Sequence, residues 1–379
     1  MEKRSALCFN YKFRFSYKSR KSVDALPITW YTIHTEDRAL LSLEMTSISN
    51  DAVSSWLRHR AVPKNRAYVN SLLAAMGLSV NRPLDVIKAS KGLSLNDCYW
   101  VVEEGFSGTF ENYNLYDNHF NRVLSLIAFT GYGSNQVSGM TSSPEFTTNG
   151  MLPKCWRRDG GIKLYKGGTE GASNSGNEPY SEFYAAEIAK LMGINAIPYT
   201  LSMWKNRLCS VCDLFTSKEL SFVPIGRIVK TGGLTAVRAF YASLGKDFTR
   251  ALNEMIVFDA VIFNTDRHYG NFGVLVDSRT NQIVAPAPLF DHGNALFSLA
   301  GGEALMSDEN MTKYSKTLLP CVYDDFVAEA KAVMTHEDRN RLRKLLNIRL
   351  KRHSRYNLPP DRLALIEKQI ARRVQALLN

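Results

Sequence analysis

Several features are missing from this sequence of 379 residues, and each absence narrows the class of protein. No stretch is apolar over the roughly 20 residues that a helix needs to cross a bilayer, so we expect no membrane partner. The six cysteines are scattered without pattern, which favours a reducing cytosol over a disulfide scaffold. The first residues, 1–20, are basic and aromatic and lack the apolar core of a signal peptide. We therefore expect a cytoplasmic protein.

What the chain does contain is an Asp and an Asn at a distinctive spacing, followed by a second Asp. Asp266 precedes Asn271 with four residues between them, and Asp291 opens a Gly-containing turn after one short hairpin. This order is typical of phosphotransferases of the protein-kinase type. Such enzymes need little covalent chemistry from the protein, which instead positions the reactants and neutralises the charge on the transferred phosphate.

The three residues have separate roles in such a site. Asp266 would accept the proton of the attacking hydroxyl, Asn271 would offer a neutral oxygen to one Mg²⁺, and Asp291 would bridge the metals with its carboxylate. Mg²⁺ suits these ligands because it prefers a few hard oxygens and takes the rest from water and phosphate. An Asp and an Asn at this spacing are common in loops, so the prediction depends on the elements that surround them.

The neighbouring segments are predicted to present these residues together. Residues 272–276 and 283–285 are typical of two strands joined by a turn. Such a hairpin would place Asn271 and Asp291 side by side at its open end. A buried helix before the loop is predicted from residues that recur at helical spacing, namely Leu252, Met255, Ile256, Asp259, Ile262 and Phe263.

At these residues the chain resembles the HipA family of bacterial serine/threonine kinases. The family's Asn-Thr-Asp-x-His-x-x-Asn element matches residues 264–271, and its metal-binding Asp matches Asp291. His268 follows the Asp instead of preceding it, which points away from ordinary eukaryotic-type kinases, and the resemblance implies that it lies near the nucleotide. The resemblance covers about residues 140–300 well and the rest weakly. It implies ATP and Mg²⁺ as cofactors and a bacterial cytoplasmic location.

One upstream segment resembles the family's phosphate loop, Ser-x-x-Gly-x-x-x-Lys, with Thr in place of Ser. Its polar run and its glycine can turn the backbone so that N–H groups face phosphate oxygens, and its lysine adds a point charge. The alternative is a surface hairpin without such a role. The residues concerned are Thr147, Thr148, Asn149, Gly150 and Lys154.

A strand lysine and a helix glutamate complete the predicted phosphate site. Lys166 resembles the family's nucleotide lysine and is preferred to Lys163, which points to the other face of the strand. Glu182, preceded by Ser181 where the family has Asn, is expected to open a helix that stops at Gly193. The resemblance implies an ion pair between Glu182 and Lys166. The alternative is that an acid in the first turn merely complements the helix dipole.

After that helix, two strands at 196–201 and 208–212 are predicted, joined by a Lys-Asn turn. The resemblance implies that the next residues, including Asp213 and Phe215, form a hinge whose backbone binds the adenine. The expected fold class is α+β, a bilobal protein-kinase-like fold with a small β-rich N-lobe, a helical C-lobe and an extra N-terminal subdomain. The predicted domains are residues 1–135, of unassigned role, then 136–216 as the small lobe and 217–379 as the large lobe.

The C-terminal tail is strongly basic. Residues 331–379 carry thirteen Lys or Arg against four Asp or Glu, a net charge of +9 out of +11 for the whole chain. Two amphipathic helices are predicted there. A basic face attracts nucleic acid or another acidic partner, and HipA-like kinases often act beside a DNA-binding antitoxin. The alternative is a solvated helix face on the large lobe.

Three classes of function follow from these features. The first is an ATP-dependent serine/threonine protein kinase that acts on a protein substrate and on itself, as the toxin of a toxin–antitoxin system. The others are a small-molecule phosphotransferase on the same fold and an inactive module that binds ATP or nucleic acid. Thr147 or Thr148 is the first candidate for self-phosphorylation, because HipA-like kinases can modify their own phosphate loop. An activation segment, 291–320, is expected to contain a mobile loop.

Overall fold

The structure, a computed structural model, describes residues 12–15, 31–32, 43, 50–102, 106–133, 137, 143–171 and 175–379. The chain divides into two compact units, each assembled from three stretches. The first comprises Met1–Lys163, Leu214–Val223 and Leu275–Val284, and the second comprises Leu164–Asp213, Pro224–Val274 and Ala285–Asn379. The domain boundaries expected at residues 135 and 216 stay a prediction. Much of the Gly- and Ser-rich stretch around the first boundary lies outside the described residues.

The described part of the chain combines small sheets with a helical C-terminal part, so the expected α+β class is confirmed, and the bilobal kinase-like arrangement stays a prediction. Its strands are β1 Lys12–Phe15, β2 Tyr31–Thr32, β3 Trp100–Val101, β4 Lys154–Arg158, β5 Ile162–Gly167, β6 Thr200–Trp204, β7 Arg207–Asp213, β8 Leu220–Pro224, β9 Gly273–Asp277 and β10 Ile283–Pro286. Its helices are α1 Asn50–Arg58, α2 Val69–Ala74, α3 Pro83–Ser90, α4 Arg122–Thr130, α5 Glu178–Met192, α6 Ile225–Ile228, α7 Gly233–Leu244, α8 Lys246–Ile262, α9 Gly302–Leu305, α10 Asp308–Ser315, α11 Phe326–Val333, α12 His336–Arg343 and α13 Pro360–Leu378.

Each sheet contains a pair of strands that follow each other in the chain, but β1 also pairs with β3 and β5 with β7, out of chain order. In the first unit the order is β2–β1–β3, where β1 pairs antiparallel with β2 and parallel with β3. In the second unit the order is β5–β7–β6. Lys205 and Asn206, the predicted turn between β6 and β7, have φ of 50° and 59°, as a two-residue turn of a twisted hairpin requires. The predicted hairpin of β9 and β10 is confirmed, and its sheet has the order β10–β9–β8.

The core of the second unit is built around α8 and α13. The helix α8 buries Leu252 and every residue from 255 to 262, which confirms the buried helix predicted before the Asp266 loop. The last helix, α13, buries an apolar stripe against it: Leu363, Ile366, Ile370, Val374 and Leu377. Among the helices that the structure describes, none is long and apolar enough to cross a membrane.

Two local predictions were wrong in extent. The strand expected from Ala196 begins only after Pro198, which has no N–H for a ladder. The polar stretch that starts at Ser307 is not a loop but the beginning of α10, and the Ser307 side chain caps that helix.

Candidate active site

Two predicted site residues, Glu182 and Asp291, contact the ammonium group of a third, Lys166, in the second unit. The Nζ atom of Lys166 donates a hydrogen bond to Oε1 of Glu182 at 2.5 Å and another to Oδ1 of Asp291. Glu182 is completely buried, whereas the Asp291 side chain keeps 31% of its surface exposed. The ion pair expected from the sequence is therefore present, and it is Lys166, preferred over Lys163, that pairs with Glu182.

The charge of Lys166 is stabilised by these carboxylates. Burial lowers the pKa of Lys166, but the negative charges of Asp291 and Glu182 outweigh burial and raise the pKa above its ordinary value. Lys166 therefore stays a cation inside the protein. A buried cation beside a partly exposed carboxylate can bind an anion such as a phosphate group when Asp291 turns to another cation.

Glu182 is positioned by α5, which begins four residues earlier than expected, at Glu178. Pro179 lies in the first turn, where a missing N–H costs no helical hydrogen bond. Glu182 therefore lies in the second turn, where the helix dipole no longer explains an acid. Its Oε2 accepts a hydrogen bond from the backbone N–H of His292 at 2.7 Å. The carboxylate thus joins Lys166 to the turn that carries Asp291.

Ser181, which stands where the family has Asn, binds the same turn. Its Oγ lies 2.6 Å from the carbonyl oxygen of His292 and 2.8 Å from that of Ala295. Four residues before Ser181, Asn177, which immediately precedes α5, donates from Nδ2 to the carbonyl of Ser298 at 3.1 Å. The departure from the family pattern therefore supplies a hydroxyl that attaches α5 to the loop after Asp291.

The loop between α8 and β9 holds Asp266 and Asn271 together. Nδ2 of Asn271 donates to the backbone carbonyl of Asp266 at 3.2 Å. Oδ2 of Asp266 accepts a hydrogen bond from Nδ2 of Asn294 at 3.0 Å, and its backbone N–H donates to Oδ1 of Asn264 at 3.2 Å. Asn294 was not predicted, although it follows Asp291 within the same short turn. One carboxylate oxygen of Asp266 is thus anchored and the side chain is half-buried.

Arg267 lies at the centre of the buried polar groups and was also missed. Its Nε and Nη2 donate to the two carboxylate oxygens of Asp259 at 2.9 Å and 3.1 Å. Its Nη1 donates to the carbonyls of Asn271 at 3.0 Å and Phe290 at 2.6 Å. Because Phe290 immediately precedes Asp291, one guanidinium joins the two loops that carry the predicted metal ligands. Arg267 occupies a variable position of the motif, so the motif alone gave no signal for it.

His292 takes the place where many kinases have Phe. Burial and the positive charge of Arg267 lower its pKa well below the ordinary value, so the ring is neutral. Its Nδ1 lies 3.0 Å from Nη2 of Arg267 and therefore accepts that hydrogen bond. The ring also packs edge-on against Phe258 of α8, with centroids 5.3 Å apart. His292 thus packs against the aromatic ring of Phe258 and also accepts a hydrogen bond from Arg267.

The backbone at Asp291 adopts an unusual conformation. Its φ is 60°, a left-handed value that non-Gly residues seldom adopt and that Asp tolerates better than most. Its N–H donates to Oη of Tyr199 at 3.3 Å. Two residues earlier, Leu289 pairs with Ala196 in an isolated parallel bridge, with hydrogen bonds of 2.8 and 2.9 Å. These contacts fix the direction in which the Asp291 carboxylate leaves the chain.

The donor set of Asn271 and Asp291 fits Mg²⁺. The bond from Nδ2 of Asn271 to the Asp266 carbonyl orients the amide, so that Oδ1 is the atom available to a hard cation. Two protein oxygens suffice, because Mg²⁺ usually keeps several waters and binds substrate phosphates. Within the described ranges, no cluster of three or more His, Cys, Asp or Glu side chains is placed to hold a metal.

The predicted phosphate loop lies in the first unit, and its two threonines are both hydrogen-bonded. Thr147 is buried and its Oγ1 donates to the carbonyl of Leu93 at 2.7 Å. Thr148 donates from Oγ1 to the carbonyl of Pro144 at 2.7 Å and accepts from Nε1 of Trp156 at 3.0 Å. The hydroxyl groups therefore shape the loop from within.

The lysine and the glycine of the same loop are in direct contact. Nζ of Lys154 donates to the carbonyl of Asn149 at 2.9 Å. Gly150 has φ of 91°, a left-handed value at which other residues are strained, so the backbone favours glycine. A Cβ added there would meet the flexible end of the Lys154 side chain, which can move aside. Lys154 is 5% exposed, so in this state it braces the loop from inside.

The remaining predicted nucleotide contacts are not brought together by any described interaction. Asp213 ends β7 and is exposed, and Phe215 belongs to the first unit, where it packs edge-on against Phe222. His268 is exposed, and its Nδ1 accepts a hydrogen bond from the N–H of Gly270 at 3.0 Å. Their roles stay predictions.

Several basic residues of the C-terminal tail pair with other groups of the second unit, although the side chains of Arg349 and Lys351 stay 84% and 63% exposed. Such pairs favour the interpretation of the tail as part of the fold, and a nucleic-acid or antitoxin-like partner stays a prediction. The contacts are Arg341 with Glu254 at 2.6 Å, Arg349 with Glu367 at 2.9 Å, Lys351 with Glu187 at 3.3 Å, and Arg373 with the carbonyl of Ala260 at 3.0 Å.

Comparison with known proteins gives one informative sequence match. No protein-family model matches this chain. Over 138 residues the chain is 28% identical to the serine/threonine-protein kinase CtkA of Helicobacter pylori strain J99, a match that covers 33% of this chain and 42% of CtkA. The chain thus spans less than half of the length of this relative. The match supports a kinase-like function and the resemblance to HipA-like kinases.

Two solved structures are similar at low identity. The crystal structure of the proinflammatory kinase CtkA of Helicobacter pylori gives a TM-score of 0.47 at 16% identity, covering 59% of this chain and 92% of that one. A complex of the Shewanella oneidensis MR-1 toxin–antitoxin proteins HipA and HipB with operator DNA gives a TM-score of 0.49 at 12% identity, covering 85% of this chain and 84% of that one.

Proposed function

We propose that this chain is an ATP- and Mg²⁺-dependent serine/threonine protein kinase of the HipA-like type. The observation that carries the proposal is the ammonium group of Lys166, bonded to both Glu182 and Asp291. In protein kinases a strand lysine paired with a helix glutamate contacts the nucleotide phosphates, and a nearby Asp holds the metal. The sequence similarity to CtkA supports the coarser statement that the chain is kinase-like.

Asp266 is the proposed general base. One of its oxygens is anchored by Asn294, which leaves the other to accept the proton of a substrate hydroxyl. Lys166 would bind phosphate oxygens, and Asn271 and Asp291 would hold Mg²⁺. Bound Mg²⁺ supplies neutralisation of the phosphate charge. Arg267 contributes by keeping the loops of the two metal ligands in register.

The finer parts of the proposal come from the resemblance. We propose that the N–H groups of the loop from Thr147 to Lys154 bind phosphate and that the backbone near Asp213 and Phe215 binds adenine, with His268 near the nucleotide. A protein is the proposed substrate, with self-phosphorylation and a toxin role in a bacterial cytoplasm. The basic helices α12 and α13 are the proposed surface for an antitoxin-like or nucleic-acid partner.

Labelling with γ-phosphate-labelled ATP and Mg²⁺ tests the proposal, with the protein alone and with a bacterial lysate. Asp266→Asn should reduce labelling of protein by about a hundredfold or more, since it removes the base. Asp247→Asn is the matched control, because the Asp247 side chain is 77% exposed and pairs only with Arg250 in the described contacts.

The other outcomes separate the alternative functions. Label that appears only on small molecules would support a small-molecule phosphotransferase. A chain that binds no ATP in calorimetry, and labels nothing, would contradict both kinase proposals and support a binding module. Labelling that survives in Asp266→Asn would contradict the role of Asp266 while leaving ATP dependence intact.

A further inference from the structure

A buried arginine of the N-terminal region contacts both ends of the predicted phosphate loop. Arg66 belongs to the segment that connects α1 and α2, and its side chain is fully buried. Its Nη1 donates to the carbonyl of Glu145 at 2.6 Å, and its Nη2 donates to the carbonyl of Lys154 at 2.7 Å. Glu145 lies two residues before Thr147, and Lys154 ends the loop. One guanidinium therefore spans the base of the loop.

The carboxylate of Glu145 completes this arrangement. Its Oε2 accepts a hydrogen bond from Nη2 of Arg66 at 3.0 Å, and neither side chain is exposed. Its Oε1 accepts from the backbone N–H of Trp156 at 2.8 Å and faces Oγ of Ser125 at 3.4 Å. Trp156 belongs to β4 and Ser125 to α4, so the charge pair is attached to the elements on both sides of the loop.

Backbone contacts join the same N-terminal region to the loop. The N–H of Ala67, the residue after Arg66, donates to the carbonyl of Met151 at the tip of the loop at 2.7 Å. The hydroxyl of Thr147 donates to the carbonyl of Leu93 at 2.7 Å. The N-terminal region thus contacts the loop at its start, its tip and its end.

The same region also contacts the segment that follows the predicted adenine hinge. The carbonyl of Asn96 accepts from the N–H of Phe222 at 2.8 Å, and the carbonyl of Leu95 accepts from the hydroxyl of Thr216. Residues 93–96 therefore carry bonds to the predicted phosphate loop and to the segment that follows the predicted adenine hinge. A surface appendage would not show such shared, buried contacts.

We propose that Arg66 is a positioning residue for the phosphate loop, and that the N-terminal region is a working part of the nucleotide-binding apparatus. Arg66 acts by fixing the separation of the Glu145 and Lys154 carbonyls, and so the direction of the N–H groups between them. A planar guanidinium presents its donors to the two carbonyls and the carboxylate in a fixed fork, a geometry that the three donors of a single lysine ammonium do not reproduce. The expected effect on nucleotide binding rests on the proposed function. The hydrogen bonds by which Arg66 holds the two ends of the loop, here called the clamp, do not.

Arg66→Lys in the full chain is the test, because it keeps the buried charge and loses the fork of donors. Arg58→Lys, an exposed arginine of α1, is the matched control. Deuterium exchange of the amides in residues 147–154 should rise about tenfold or more in Arg66→Lys, since a buried bond to each loop end is lost. The KM for ATP should rise by a similar factor with kcat at saturating ATP little changed.

Glu145→Gln provides a second variant should Arg66→Lys not fold. It keeps the carbonyl contact of residue 145, removes the side-chain charge and replaces one accepting oxygen by an amide NH₂, so the same changes should appear with smaller amplitude. Exchange that rises equally throughout the first unit would show a general stabilising role and overturn the inference. So would loop exchange and KM values that match those of Arg58→Lys.

The two proposals fail in distinguishable ways. If the unmodified chain binds no ATP but Arg66→Lys still loosens residues 147–154, the proposed function fails and the clamp stands. If the chain binds ATP and phosphorylates protein while the Arg66 variants leave loop exchange and KM unchanged, the kinase proposal stands and the positioning role of Arg66 is overturned.

Discussion

Replacing Arg267 with Met would test whether one buried guanidinium holds the loops of Asn271 and Asp291 together. Arg267 is 1% exposed, and Asp259, its carboxylate partner, is 0% exposed. Met fills much of the volume of the arginine stem but donates no hydrogen bond. The variant would leave the Asp259 charge without a cation and the carbonyls of Asn271 and Phe290 without their donor.

The size of the effect follows from these losses. Removing one partner of a buried ion pair costs about 3–5 kcal/mol, because the remaining charge is unpaired in a low dielectric. Each carbonyl that loses its donor adds about 1–3 kcal/mol unless water reaches it. Native domains are stable by only about 5–15 kcal/mol. We therefore expect Arg267→Met to lower the free energy of unfolding by at least about 3 kcal/mol.

A double-mutant cycle in urea separates the charge from the other bonds. Asp259→Asn removes the charge that Arg267→Met leaves unpaired, and it keeps an oxygen for the amide of Asn264. The double variant should therefore be more stable than Arg267→Met alone, by about 1–3 kcal/mol. If the double variant folds, it should still require more Mg²⁺ for labelling, because the two loop carbonyls have lost their anchor.

The exposed pair of Asp247 and Arg250, also on α8, is the control cycle. Its side chains are 77% and 63% exposed, so the coupling between Asp247→Asn and Arg250→Met should stay below about 1 kcal/mol. The reasoning would be refuted by a coupling at Arg267 as small as that of the exposed pair. A double variant no more stable than Arg267→Met would refute it as well.

Two further predictions concern the phosphate loop and the contact between α10 and α13. After incubation with ATP, mass spectrometry should find phosphate within residues 141–150, and a modified Thr147 must break its hydrogen bond to Leu93; an active preparation without phosphate there would contradict this. The hydrogen bonds from Arg372 lower the pKa of the Asp308 carboxyl in the folded protein. The ionised carboxylate therefore stabilises the fold fully above its unfolded pKa of about 4, and this stabilisation is lost as the pH falls through the lower folded pKa. Asp308→Asn should lower the unfolding free energy by about 0.3–1 kcal/mol at neutral pH, and the difference should shrink in urea titrations below about pH 4; a difference that is constant with pH would contradict the assignment.

Short-range patterns were sufficient to predict the elements around the site. The apolar spacing gave α8, and the turn residues gave the β9–β10 hairpin, because both depend on contacts within one element. Gly193 was expected to end α5, and its φ of 66° is the left-handed value of a helix C-terminus. The pairing of Lys166 with Glu182 followed from a family resemblance, since no local rule joins a strand to a helix sixteen residues later.

The residues that hold the site could not be predicted in the same way. Asp259 was grouped with apolar residues by its spacing, although a carboxylate on a buried helix face requires a partner. The sequence does not say which residue that partner is. Arg267 meets Asp259 only because Phe263 ends α8 with φ of 55° and turns the chain back. Such a reversal depends on tertiary packing and leaves little trace in composition.

Arg66 and Arg267 show why residue spacing in the sequence predicts the side chains of the site but not the residues that position their loops. Each guanidinium lies at a position that the motifs leave variable or unassigned. Arg66 binds carbonyls at the two ends of one loop, and Arg267 binds carbonyls of two loops. A backbone carbonyl accepts a hydrogen bond whatever side chain its residue carries, so the sequence of a loop need not indicate which arginine holds that loop in place. A variant could therefore keep every catalytic side chain of a kinase-type site and still lose activity because a loop is displaced. Exchange measurements on the two loops, made beside labelling assays, distinguish that displacement from the loss of a catalytic group.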